Sequence, residues 1–261
     1  MMLSTQSEAF LRIRDALVQR LIPGYADTGN LVFAYAQGSL VEGLTELGDL
    51  DLVLVWDTSP PPKEQRPPQG LADASPIPTV FDEPGFILDR FWLDGQRIDA
   101  KHTTTAEVDA WVGAVEAGGG RHGYPMPVVS VHGLMNAVVL SDDRGVTDEL
   151  RRRLRHVPLA LRSRASDAAA KARSSYPGEL AGAAERGDGL LFHSLATEYL
   201  RTLFIAWFAD NDVYWPHEKR LSTRLRLMRR DDLADLEKSV WATEDLLARL
   251  AAIDRLSQQL S

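Results

Sequence analysis

The spacing of apolar and polar positions changes character three times along the chain. Phe10, Ile13, Leu17 and Leu21 recur at helical spacing with Arg12, Arg14 and Asp15 between them, and Thr5-Gln6-Ser7-Glu8 ahead of them has the order of a capping box. An amphipathic helix is expected there. Short apolar runs of strand character follow at Leu31 to Ala36, Leu50 to Trp56, Phe86 to Leu93, Arg97 to His102 and Ala137 to Leu140. Between the second and third of these, residues 57 to 79 hold seven of the chain's fourteen prolines, and no regular element is expected. From about Asp143 the strand signals cease, and helices are predicted near 148–155, 159–175, 179–186, 188–210, 218–229 and 231–258. The pattern predicts an N-terminal α/β part over residues 1–147, then a C-terminal α-helical bundle over 148–261.

Composition narrows the chemistry. With 261 residues, 44% of them hydrophobic and 25% charged, the chain can bury a substantial core. It has no cysteine, which excludes disulfide frameworks, thiolate nucleophiles and zinc-thiolate sites, so any metal must sit on oxygen or histidine. The first helix is not a signal peptide, and the longest apolar stretch, Leu190 to Ala209, carries His193, Glu198 and Arg201, costly in lipid and ordinary in a bundle. A soluble, cytoplasmic protein with no membrane partner is expected. The net charge of -8 is divided unequally: residues 1–150 hold 10 Lys/Arg against 22 Asp/Glu, and the remainder is mildly basic. The acidic half favours cations, as metal ions or an amine-rich substrate, and repels a nucleic-acid backbone; solvated helix faces account for the asymmetry equally well.

One stretch carries chemistry. In "GDLDLVLVW", residues 48 to 56, strict alternation puts Asp49 and Asp51 on one face of a strand, their Cα atoms about 6.6 Å apart. Two bare carboxylates beside a core strand repel, and a divalent ion resolves the conflict; Mg2+ suits carboxylates combined with substrate phosphates. Gly38-Ser39 just upstream offers close backbone approach and a hydroxyl to phosphate oxygens. In "FILDRFWLDGQRIDAKH" the Asp94-Gly95 pair reads as a two-residue hairpin turn, and on its second strand Arg97, Asp99 and Lys101 share a face. Asp99, flanked by two cations, is expected to be ionised, as a metal ligand or proton acceptor must be; a surface ladder of ion pairs is the plainer explanation.

Gly38-Ser39, Glu42-Gly43 and Gly48-Asp49-Leu50-Asp51-Leu52 together resemble the signature of the DNA polymerase beta-like nucleotidyltransferase superfamily, in which Gly-Ser precedes Asp-x-Asp by about ten residues. Residues 136 to 150 are similar to the strand and aspartate-containing turn that close the catalytic domain in its small members, and "NDVYWPHEKRL", residues 211 to 221, resembles the C-terminal domains of antibiotic-modifying types. The resemblance implies an α+β fold, a mixed sheet with flanking helices followed by the α-helical bundle, and transfer of a nucleoside monophosphate, as AMP from ATP, to a hydroxyl with release of pyrophosphate. It implies that Asp49, Asp51 and Asp99 hold Mg2+, that Asp99 also deprotonates the acceptor, that Gly38 and Ser39 hold the outer phosphates, and that Lys219 and Arg220 neutralise the leaving pyrophosphate. Lys219 reads equally well as a solvated lysine at a helix start.

The remaining signals are weaker. Gly118 to Gly123 reads as a helix exit and not a phosphate loop, and the six histidines show no zinc spacing. Arg151 and His156 match an arginine-histidine pattern of some helical ribonucleases that chance readily produces in "RRRLRHV". Glu198 and Arg201, three apart on one helix, are an internal ion pair or face the nucleotide. The acidic N-terminal half disfavours a nucleic-acid template and favours a small-molecule acceptor, such as an aminoglycoside-like polycation or a metabolite. AMP transfer to a partner protein, and a silent nucleotide-binding module, are the alternatives.

Overall fold

A computed structural model of the chain describes residues 6–27, 30–66, 76–83, 86–119 and 126–261. They form two compact units, one within residues 1–113 and 133–155, the other within 114–132 and 156–261.

In the first unit helix α1 (Glu8–Ala16) begins where the Ser7 hydroxyl accepts the Phe10 N–H at 3.0 Å. Thr5, the first residue of the expected capping box, lies outside the described residues. The carboxylate facing the α1 N-terminus comes from Glu46, which accepts the Glu8 and Ala9 N–H groups at 3.3 and 3.1 Å and meets the positive end of the helix. A π-helical turn, Leu17–Leu21, continues α1 into α2 (Ile22–Ala26). Among the described residues six strands follow: β1 (Leu31–Gln37), β2 (Leu50–Trp56), β3 (Pro76–Glu83), β4 (Phe86–Leu93), β5 (Gln96–Thr104) and β6 (Val138–Ser141). They form one sheet in the order β3-β4-β5-β2-β1-β6, parallel between β2 and β5 and antiparallel elsewhere. The sheet is therefore mixed, as the resemblance implied.

Alternation divides the sheet residues between two faces. Ala34, Ala36, Leu52, Trp56, Phe91, Ile98 and Ala100 join Phe10, Leu17 and Tyr25 of the helices in one apolar cluster. Asp89 and His102 point to the same side, and Arg66 joins them: His102 Nε2 lies 3.1 Å and Arg66 Nε 3.8 Å from Asp89 Oδ2, with all three residues at least nine-tenths buried. The Trp56 indole N–H donates to His102 Nδ1 at 3.2 Å. Arg66 thereby ties the proline-rich segment to the core. That segment is also more regular than expected, with a 3-10 turn at Lys63–Gln65 and the start of β3 at Pro76. A proline is tolerated there because β3 is the outermost strand of the sheet and Pro76 its first residue.

Helices α3 (Thr105–Glu116) and α4 (Pro127–Asn136) occupy the interval before β6, and Gly118 at φ +78° terminates α3 as the expected exit. Gly120 to Gly123 lie outside the described residues. After β6 the Asp142 carboxylate accepts the Val146 and Thr147 N–H groups at 3.0 and 2.8 Å, capping α5 (Val146–Arg153).

The helical region has α6 (Leu159–Glu185), α7 (Gly189–Asp210), α8 (Leu221–Leu227), α9 (Asp231–Ala242) and α10 (Leu246–Gln259). Two expectations need correction. The segments predicted at 159–175 and 179–186 are one helix that runs through Pro177, and packing against α7 and α10 outweighs the local proline penalty. The segment predicted at 231–258 is two helices, because Asp245 caps a new start by accepting the Ala248 N–H at 2.7 Å. Among the described residues no helix is long and apolar enough to cross a membrane.

Candidate active site

The register of the sheet sets one polar row across its second face. Gln37 of β1 stands opposite Asp51 of β2, Asp51 opposite Asp99 of β5, and Asp99 opposite Arg90 of β4. Neighbouring strands lie about 4.8 Å apart, so the backbones of Asp51 and Asp99 are adjacent. Asp49 precedes β2 by one residue and shares this face with Asp51. The three candidate acids thus belong to one side of one sheet.

Their partners differ from expectation. Arg97 and Lys101 were expected to flank Asp99, but Asp99 is held by Arg90, whose Nε and Nη2 donate to its two oxygens at 2.6 Å each. Side chains two apart on a strand stand about 6.6 Å from each other, whereas the cross-strand neighbour is nearer and reaches first. Arg97 instead pairs with Asp49. Lys101 places its Nζ 4.6 Å over the Trp111 ring of α3, and burial lowers its pKa from 10.5 to about 8 against the opposing pull of Glu107. Its hydrogen bonds to Asp99, with charge from Asp99 and Asp49, raise the Arg90 pKa in spite of burial, so both acids act on this one guanidinium.

The Gly38-Ser39 turn abuts the row. Gly38 has φ +90°, and a Cβ there would overlap Asp51 Oδ2 and lie 3.3 Å from its Cγ. Glycine is required twice, by conformation and by space. Ser39 begins a compact turn in which the Glu42 N–H donates to the Gly38 carbonyl at 3.0 Å and the Leu44 N–H to that of Ser39 at 2.8 Å. The Gln37 side chain presses on α4, where a Cβ on Gly133 would come 2.8 Å from Gln37 Cδ. Its Oε1 is buried and makes no hydrogen bond among the described residues.

This donor set suits a hard divalent cation in kind: three carboxylates on one face, a buried amide oxygen opposite one of them, and a glycine that leaves room beside Asp51. In the arrangement seen, Asp99 and Asp49 engage Arg90 and Arg97, and among the described residues no three His, Asp or Glu side chains converge as metal ligands.

The other candidates, Glu198, Lys219 and Arg220, belong to the second unit. Glu198 pairs with Arg201 at 3.2 Å, and Arg201 also engages Glu218. Burial works against ionisation of Glu218, but hydrogen bonds from His217, its own backbone N–H and Arg201 bring its pKa down to about 2. Lys219 and Arg220 are exposed at the start of α8, Arg220 with φ +60°. Arg151 and His156 each have partners of their own. Arg151 donates to the carbonyls of Leu134 and Ala137, while His156 Nδ1 lies 2.6 Å from Asp212.

Arg90, Gln37 and Gly133 were not foreseen. Arg90 was within reach: counting outward from the Asp94-Gly95 turn, the fourth pair sets it opposite Asp99.

No family model and no curated protein matches the chain. Among solved structures it is similar to a nucleotidyltransferase-like protein from Exiguobacterium sibiricum 255-15, with 13% identity and a TM-score of 0.46 over 95% of this chain and 75% of that one.

Proposed function

We propose that the protein is a Mg2+-dependent nucleotidyltransferase that moves AMP from ATP to a hydroxyl of a small molecule, such as an aminoglycoside-like polycation or a metabolite, and releases pyrophosphate. The observation that carries this reading is the register that sets Asp51 beside Asp99, with Asp49 on the same face and the Gly38-Ser39 turn against Asp51.

Mg2+ bound by Asp49, Asp51 and Asp99 would supply electrostatic stabilisation of the triphosphate. Asp99 accepts the proton of the acceptor hydroxyl. The acceptor oxygen forms its bond to the α-phosphorus as the bond from that phosphorus to the bridging oxygen breaks, and pyrophosphate leaves with that electron pair. Ser39 and the N–H groups of its turn orient the outer phosphates. The acidity of the N-terminal half supports a cationic acceptor.

A second reading, a silent nucleotide-binding module, is favoured by one observation: Arg90 and Arg97 occupy Asp99 and Asp49. Pyrophosphate release from MgATP, measured with an aminoglycoside panel and a metabolite extract, separates the two. The transferase reading expects acceptor-dependent release that Asp51→Asn abolishes. MgATP binding with no turnover on any acceptor would favour the silent module, and labelling of a protein in a lysate would move the acceptor from small molecule to protein.

A further inference from the structure

The two arginines of this face hold the acids that the proposed reaction uses, and both have room to let go. Arg90 grips both oxygens of Asp99 and Arg97 grips Asp49, yet their side chains are 27% and 38% exposed. Rotation of the side chains alone, with the strands unmoved, would release either. A guanidinium fork that matches a carboxylate matches a phosphate in the same way. Without such cations, three acids on one face would repel one another.

Resting on the transferase reading, we infer that Arg90 and Arg97 are triphosphate-binding residues that exchange partners: in the free protein they cover Asp99 and Asp49, and they pass to phosphate oxygens as those carboxylates pass to the incoming cation. The consequence is cooperative loading. A bare cation must displace an arginine that then gains only water in exchange for its carboxylate, and a bare triphosphate that draws the arginines away leaves the acids uncompensated. Cation and triphosphate arriving together satisfy every group, so the site discriminates against either component alone.

The test uses the full chain and two probes, manganese(II) chloride alone followed by electron paramagnetic resonance, and preformed manganese tripolyphosphate followed by equilibrium dialysis. For Arg90→Gln and Arg97→Gln the expected outcome is a shift in opposite directions: bare manganese binds at least tenfold tighter, and the tripolyphosphate complex at least tenfold weaker. Loss of a charge alone would mimic part of this, so Arg90→Lys provides the control. With the charge kept and the fork removed, it should still bind the complex at least threefold more weakly than the wild type. Two partly exposed sites keep the test open if one variant fails to fold. Variants that match the wild type on both probes, or Arg90→Lys indistinguishable from it, would overturn the exchange while leaving the transferase reading standing. A wild-type protein that binds neither probe overturns both.

Discussion

Replacing Gly38 by alanine imposes two separate costs, and the structure says which of them depends on Asp51. The first is conformational: at φ +90° a residue with a β-carbon is strained by about 1–2 kcal/mol whatever surrounds it. The second is steric. The new Cβ would overlap Asp51 Oδ2, and turning that carboxylate off its rotamer costs about 0.5–1.5 kcal/mol. Gly38→Ala alone should therefore destabilise the fold by about 2–3 kcal/mol, and by only about 1–2 kcal/mol in an Asp51→Ala background. The four proteins of this double-mutant cycle are compared by urea unfolding followed by tryptophan fluorescence, with equal denaturant slopes required. A coupling near 1 kcal/mol is expected. Strict additivity would show that Gly38 and Asp51 do not touch, and the phosphate-turn assignment would lose its geometric basis.

Lys101→Met should stabilise the fold at pH 7 by roughly 2–3 kcal/mol: the folded pKa is about 8 against 10.5 unfolded, so the unfolded chain binds the extra proton and wild-type stability rises across that window. Thermal melts of both proteins should converge by about pH 10.5, and a gap that ignores pH would contradict the burial cost. Glu218 has the opposite sign. With its pKa lowered from 4.5 to about 2, it contributes roughly 2 kcal/mol above pH 4.5 that fades as the pH falls toward 2, so Glu218→Gln should be the weaker protein at pH 7 and its equal near pH 2, by urea unfolding at each pH. Arg66→Met leaves Asp89 in the core without its arginine and should cost about 3 kcal/mol by urea unfolding; a cost below about 1 kcal/mol would mean that the proline-rich segment is not anchored there.

The elements legible in the sequence are those whose own residues decide them. Strands β2 and β4 coincide with the predicted limits because each apolar run is bounded by turn residues, and Asp94-Gly95 adopts positive φ at both positions, as a tight hairpin requires. That Asp49, Asp51 and Asp99 share one side of the sheet was legible because alternation fixes a face. Their partners were not, since pairing across a sheet depends on register and not on spacing within one strand. Arg66 illustrates the same limit. It stands in a proline-rich run that looks solvent-bound, and only the tertiary fold brings it to Asp89. Helix α6 continues through Pro177 for a similar reason: packing against its neighbours, and not its local sequence, keeps it one helix.

Crystals grown with Mn2+ and a nonhydrolysable ATP analogue would test the proposed site most directly through manganese anomalous scattering. The expected result is an anomalous peak about 2.1 Å from carboxylate oxygens of Asp51 and Asp99, with the triphosphate along the Gly38-Ser39 turn. The contradicting result is a bound nucleotide elsewhere, or no peak on this face, with Arg90 still holding both oxygens of Asp99.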